Sequence, residues 1–193
     1  MRVLLHAPSG DPLEAELAAR GLDVVREGLE AEALVTVTPP VRLASLDELE
    51  PEEWLATFAA AAKEPFFAAQ PWLVRGSGSW VAVTSILGVQ PFPGGGAAGA
   101  ASLALQTLVR VAALEGVRTN AVAAGFPDPP PEPLDRELAL ADTPGGRLAT
   151  AADVAAAVAW LLSDEAAHVN GEVLRVDGGY TITRGSRPDP RKE

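Results

Sequence analysis

The sequence predicts one α/β domain built on a doubly wound parallel sheet, and three observations predict it. Residues 80–85 alternate and are rich in β-formers, while residues 97–115 carry Leu105, Leu108, Val109 and Ala112 at helical spacing. Arg118–Ala123 is a further short apolar run. Strand, crossover helix and strand in that order form a right-handed β-α-β unit, which parallel strands require.

Composition narrows the class. With 193 residues and 48% apolar content, the chain has material for one sizeable core. It contains no cysteine, which excludes a disulfide framework, a thiol nucleophile and a thiolate metal site, and its two histidines, His6 and His168, argue against a histidine metal cluster. No metal ligand set is expected. A formal charge of −11 without a long basic run argues against nucleic acid and anionic membranes as partners. The uncharged stretch between Arg75 and Arg110 is broken by Pro91, Pro93 and Gly94–Gly96, which leaves pieces too short to span a bilayer. The apolar run after Met1 is too short for a signal peptide, and a cytoplasmic location is expected.

Taken in order, Val3–Leu5 reads as the first strand and residues 12–20 as a helix, with Asp11 as N-cap, Pro12 at the first helical position and Glu14 in capping-box position. Gly21–Val25 reads as the second strand and Ala33–Val37 as the next. Only Arg26–Glu32 separates them, and a helical crossover needs a dozen or more residues. A bare loop is expected there, with an antiparallel hairpin as the alternative. Trp54 opens a helical region in which Phe66, Phe67 and Trp72 recur at near-helical spacing, as core or subunit-contact residues. Five prolines between 127 and 133 predict a stiff segment that covers a crevice or braces a neighbour. Thr150 and Asp153 make a capping box for a helix whose Val154, Val158, Leu161 and Leu162 face the core. A last strand lies within Gly171–Gly179. The domain spans 1–183, and 184–193 is a polar, Pro-containing tail.

Several of these segments resemble the short-chain dehydrogenase/reductase family. The resemblance rests on Thr84-Ser85-x-x-Gly88, Pro93-Gly94 before the helix, Leu108-Val109-Arg110, and Val117-Arg118-Thr119-Asn120-Ala121-Val122-Ala123-x-Gly125. It extends over Arg147–Ala155, Leu161–Ala167 and Gly171–Gly179. It implies a Rossmann-like sheet, shortened here because the third strand and its flanking helices are missing between Val25 and Ala33.

The resemblance also implies a site, and most of that site is replaced. Family enzymes carry a serine after the fifth strand, a Tyr-x-x-x-Lys pair thirteen residues on, and an asparagine in the fourth helix. Ser85 keeps the serine; Ala98 and Ser102 stand at the tyrosine and lysine positions, and Ala61 at the asparagine. The chain has one tyrosine, Tyr180, and two lysines, Lys63 and Lys192, so the pair exists nowhere in it. Where the family has a Gly-rich phosphate loop, this chain has His6–Pro12 with the single glycine Gly10. Thr36–Pro39 replaces Asn-Asn-Ala-Gly. NAD or NADP follows from the resemblance alone, and no bound cofactor is expected.

The reading is therefore a pseudoenzyme, a structural or regulatory subunit of a homo-oligomer (dimer or tetramer) or of a hetero-oligomer with an active short-chain dehydrogenase. A divergent NAD(P)-dependent oxidoreductase is the alternative, and a small-ligand module using the crevice above Ser85 and Phe126 is a third. His6 as a base for Ser85 is disfavoured, because their strands lie two spacings, ~9.6 Å, apart. Tyr180 and Arg184 match the Tyr-x-x-x-Arg spacing of halohydrin dehalogenases, but they follow the last strand instead of lying on the crevice helix.

Overall fold

The computed structural model describes residues 1–40 and 42–183. The predicted tail and Arg184 lie outside the described residues. Six strands form one all-parallel sheet in the order β2-β1-β3-β4-β5-β6: β1 Arg2–His6, β2 Asp23–Val25, β3 Ala33–Val37, β4 Ser79–Ser85, β5 Arg118–Ala124 and β6 Val173–Val176.

The period-2 alternation of the strands divides the core in two. Leu34, Trp80, Ala82, Ala121 and Ala123 point to the layer formed by α2 (Pro51–Phe58), α3 (Glu64–Arg75) and α4 (Gly96–Leu114). Val3, Leu5, Val35, Val81, Val83 and Val122 point to the opposite layer, formed by α1 (Leu13–Ala19) and α6 (Ala151–Leu162). The small strand residues lie under α4, whose own inward residues are Ala98, Ala101, Leu105, Val109 and Ala112. Two short helices, α5 (Arg136–Ala141) and α7 (Tyr180–Thr183), complete the chain.

The loop reading of Arg26–Glu32 holds, and the hairpin does not form: β2 and β3 both pair with β1, on opposite sides. The loop runs the length of β1 and is pinned at both ends. Arg26 Nη1 donates to the Ala7 carbonyl at 2.9 Å, and Glu32 N–H donates to the Arg2 carbonyl at 3.0 Å. Arg75 Nη1 reaches the Leu29 carbonyl at 2.9 Å while its guanidinium lies over the Trp72 ring, 5.2 Å from the centroid. Two arginines thus satisfy backbone carbonyls beside and within the short connection between β2 and β3.

One local expectation needs correction. Asp11 does accept the Leu13 N–H at 2.9 Å, but Glu14 forms no capping box, because its carboxylate turns to the Arg26 guanidinium (Nε at 3.0 Å). Phe67 is exposed, whereas Trp72 is buried and Phe66 packs half-buried against the core. The reason for the phase lies upstream: residues Ala59–Lys63 form a π-turn, with the Glu64 N–H bonded to the Ala59 carbonyl. Pro65 has no N–H for the Ala61 carbonyl and its ring would clash there, so the helix widens by one residue.

The Pro-rich segment lies on its own chain. Leu43 N–H donates to the Glu132 carbonyl at 3.2 Å, Pro130 is buried, and Leu134 packs against the core. At the other end of the chain the predicted capping box of α6 is present, and Val154, Val158, Leu161 and Leu162 are buried.

Candidate functional site

In an open parallel sheet, ligand sites form beyond the carboxyl ends of the strands. Ser85 ends β4 there, half-buried, and its Oγ accepts the Leu87 N–H at 3.2 Å. The serine caps the short 3-10 turn Ile86–Gly88. Thr84 and the Ser85 carbonyl are held from behind by Gln106, whose Nε2 donates to Thr84 Oγ1 at 2.9 Å and to Ser85 O at 3.3 Å. Thr84 Oγ1 in turn donates to the Val122 carbonyl at 3.4 Å.

Ala98 and Ser102 lie one turn apart on α4, each 2% exposed. The 3-10 turn sits directly on this helix. A Cβ on Gly88 would stand 2.8 Å from Leu103 N and 2.9 Å from the Ser102 carbonyl carbon, and one on Gly99 would stand 2.9 Å from the Leu87 carbonyl oxygen. Glycine at both positions is what lets the turn after Ser85 approach the helix backbone. Ala61, 2% exposed, lies inside the π-turn.

The space above β5 is occupied by aromatic rings. Phe126 is edge-on to Phe92 at 5.9 Å and to Tyr180 at 5.1 Å, and both Phe126 and Tyr180 are buried. Tyr180 therefore packs at the start of α7 and not on the crevice face of α4. His6 is exposed at the end of β1; β3 separates it from β4, so the sheet does not bring it to Ser85.

The β1–α1 turn fills its own donors. Asp11 takes the Leu13 N–H, Pro12 has none to offer, and the Arg26–Glu14 pair spans from β2 to the first turn of α1. Among the described residues no cluster of three or more His, Cys, Asp or Glu side chains converges as a metal site.

Gln106, Arg26 and the π-turn were not anticipated. Gln106 left a trace, as a polar residue at i+4 from Ser102 on an otherwise apolar helix face. The π-turn left one too, in the proline that follows four alanines, a lysine and a glutamate. Arg26 left none, since its partners are set by the tertiary fold.

Known proteins resemble this chain in sequence and in fold. The family profile described as enoyl-(acyl carrier protein) reductase matches residues 34–181. The 3-oxoacyl-(acyl-carrier-protein) reductase FabG of Thermotoga maritima is 34% identical over 172 residues, covering 82% of this chain and 70% of that protein. Cis-4-hydroxycyclohexanecarboxylate dehydrogenase of Sinomonas cyclohexanicum is 44% identical over 114 residues, 55% of this chain and 46% of that protein. The chain thus spans about half the length of several curated relatives that it matches. A crystal structure of a short-chain dehydrogenase/reductase family oxidoreductase from Burkholderia thailandensis superposes with a TM-score of 0.77 at 21% identity, over 94% of this chain and 93% of that one, and so shares the fold. With a family profile over most of its length, a relative 34% identical over 82% of the chain and a matching fold, the chain belongs to the short-chain dehydrogenase/reductase family.

Proposed function

We propose that this chain is a non-catalytic member of its family, a structural or regulatory subunit that assembles with itself or with an active short-chain dehydrogenase in the cytoplasm. The observation that carries the reading is the pair Ala98 and Ser102 on α4, buried at the positions where the resemblance puts a tyrosine and a lysine. Neither side chain supplies a proton donor with a tuned pKa, and general acid-base catalysis is worth ~10² to 10⁴ in rate. Ser85, the family position that is kept, has its Oγ engaged in capping and is bonded to no base among the described residues, which makes a poor nucleophile.

The β1–α1 turn does not fit a dinucleotide's diphosphate. Such a turn needs free N–H groups and closely approaching backbone. Here the Leu13 N–H is bonded to Asp11, Pro12 lacks one, and the Arg26 guanidinium beside the turn is engaged by the Glu14 carboxylate. The loop Arg26–Glu32 has no strand to wall an adenine.

The second reading, a divergent NAD(P)-dependent oxidoreductase, is favoured by the 34% identity to a reductase over most of the chain. The ligand-module reading loses support from the aromatic filling of the crevice by Phe92, Phe126 and Tyr180. Titration with NADH and NADPH separates the first two. The fluorescence of Trp54, Trp72, Trp80 and Trp160 is expected to stay unchanged; saturable micromolar quenching would overturn the proposal.

A further inference from the structure

The chain has two asparagines, Asn120 and Asn170, and each clips the other's strand. Asn120 lies in β5; its Nδ2 donates to the Val169 carbonyl at 2.9 Å and its Oδ1 accepts the Glu172 N–H at 3.0 Å. Asn170 lies just before β6, and its Oδ1 accepts the Thr119 N–H at 2.9 Å. The Gly171 N–H donates to the Thr119 carbonyl at 2.8 Å, the first rung between the two segments.

Asn170-Gly171 is also the one Asn-Gly step in the sequence. Glycine has no side chain to shield its amide nitrogen, so in an unfolded chain that nitrogen reaches the side-chain carbonyl carbon of the asparagine before it. The N–Cγ bond forms, the Cγ–Nδ2 bond breaks, and ammonia leaves with the glycine's amide proton. Water then opens the cyclic imide at either carbonyl. One product is aspartate; the other is isoaspartate, whose main chain runs through the former side chain.

In the folded chain both reacting groups are tied to one residue. Thr119, fully buried, holds the attacked side chain by its N–H and the attacking nitrogen by its carbonyl. Gly171 sits at φ +74°, where L side chains are strained, so the glycine that makes the step reactive is the one this turn requires.

We infer that Asn170 is a site of spontaneous modification gated by β6, closed while that strand is paired with β5 and open when it frays. β6 is an edge strand of four residues, which places it at the low-stability end of the sheet. Conversion acts as a ratchet. Isoaspartate adds one carbon to the main chain and leaves a pendant carboxylate, so Gly171 and Glu172 no longer meet Thr119 and Asn120 in register. The Val176 carbonyl, which accepts the Gly125 N–H at 2.9 Å, and Tyr180, which packs on Phe126, are released with the strand. The inference goes beyond the subunit reading and stands whether or not the chain binds nucleotide.

The test follows the tryptic peptide Leu148–Arg175, in which Asn170 is the one asparagine, during incubation of the full chain in mildly alkaline buffer. Mass separates acid from amide, and chromatographic retention separates isoaspartate from aspartate. Conversion in the folded chain is expected to be slower than in urea-unfolded chain by about tenfold or more. Asn120→Ala removes two of the clips and should raise the folded rate about tenfold. If that variant does not fold, urea below the unfolding transition should accelerate conversion of the parent before the tryptophan fluorescence changes. The isoaspartyl form, made in urea, refolded and isolated by its extra negative charge, should be cut by trypsin at Arg175 well before Arg110 in α4. Asn170→Asp, which has the charge without the added carbon, should resist at both. Equal conversion in folded and unfolded chain would overturn the proposal, as would a folded Asn120→Ala that converts no faster, sub-denaturing urea without effect, or an isoaspartyl form cut no faster at Arg175 than Asn170→Asp.

Discussion

Arg147 and Asp153 form a two-point ion pair, with guanidinium nitrogens 2.6 and 2.7 Å from the two carboxylate oxygens. The same carboxylate accepts the Thr150 N–H and hydroxyl, closing the capping box at the start of α6. The bonds from Arg147 first, and those from Thr150 next, hold the Asp153 carboxyl far below the usual carboxylate range. A folded-state pKa below the unfolded value means stability that is present at neutral pH. It is lost progressively once the pH falls below about 4, where an unfolded aspartate takes up its proton. Asp153→Asn should cost about 1 kcal/mol at pH 7, since Arg147 is largely solvated, and should flatten the acid limb of a urea-denaturation pH series. An unchanged acid limb in the variant would assign the pH dependence elsewhere.

Gly88→Ala is expected to destabilise by about 1 to 3 kcal/mol, because the added methyl meets the Leu103 backbone nitrogen and cannot displace it cheaply. Gly10→Ala meets nothing within 4 Å, so any loss there comes from its φ of +76° alone. Chemical denaturation of both variants compares a steric cost with a conformational one.

Two buried tryptophans should respond differently. Trp80 Nε1 donates to Thr36 Oγ1 at 3.0 Å, whereas Trp72 Nε1 has no hydrogen-bond partner among the described residues. Thr36→Val should cost about 1 to 3 kcal/mol by stranding the Trp80 donor. Trp72→Phe should cost less than Trp80→Phe, since it removes a buried N–H that has no bond to lose. Equal losses would show that ring volume and not hydrogen bonding decides both.

Replacing Gln106 with leucine keeps the volume and removes the donor to Thr84 and to the Ser85 carbonyl. The expected cost is about 1 to 2 kcal/mol, with faster hydrogen exchange at Leu87 and Gly88 than at β5. Uniform acceleration across the sheet would mean that Gln106 holds the whole fold and not this corner.

The double substitution Ala98→Tyr, Ser102→Lys writes the family pair back onto α4. If the proposal holds, no nicotinamide-dependent turnover of 3-oxoacyl thioesters follows, because the β1–α1 turn keeps its Leu13 N–H on Asp11 and its Glu14–Arg26 pair. Turnover by the variant would place the loss at α4 alone.

What could be read from the sequence was what local chemistry decides. The segment β4-α4-β5 is delimited by Pro91, Pro93 and Gly94–Gly96, and its periods are unambiguous. Thr150 and Asp153 specify their cap within four residues, so α6 begins where expected. Glu14 was misjudged because a capping box is a local option that lost to Arg26, twelve residues away and brought near by strand pairing. Phe66, Phe67 and Trp72 read together as core or subunit-contact residues, and spacing alone does not divide them, because the extra residue within Ala59–Lys63 that helps set which of them faces inward leaves no helical period to count. The shortened crossover was legible as a deletion, since seven residues cannot contain a helix; its anchoring by Arg26 and Arg75 was not, because both partners are backbone carbonyls.

That extra residue sets the indexing of everything between it and β4. An α-helix advances about 100° per residue, so excising one alanine from the run 59–62 would restore regular winding and turn α3 by that angle against the sheet. Trp72 would swing out of the core and a different flank of the helix would roll inward. A single proline thus acts as the gear that keeps the indole meshed with Trp80's side of the sheet, and the alanines before it are the slack that lets the gear engage.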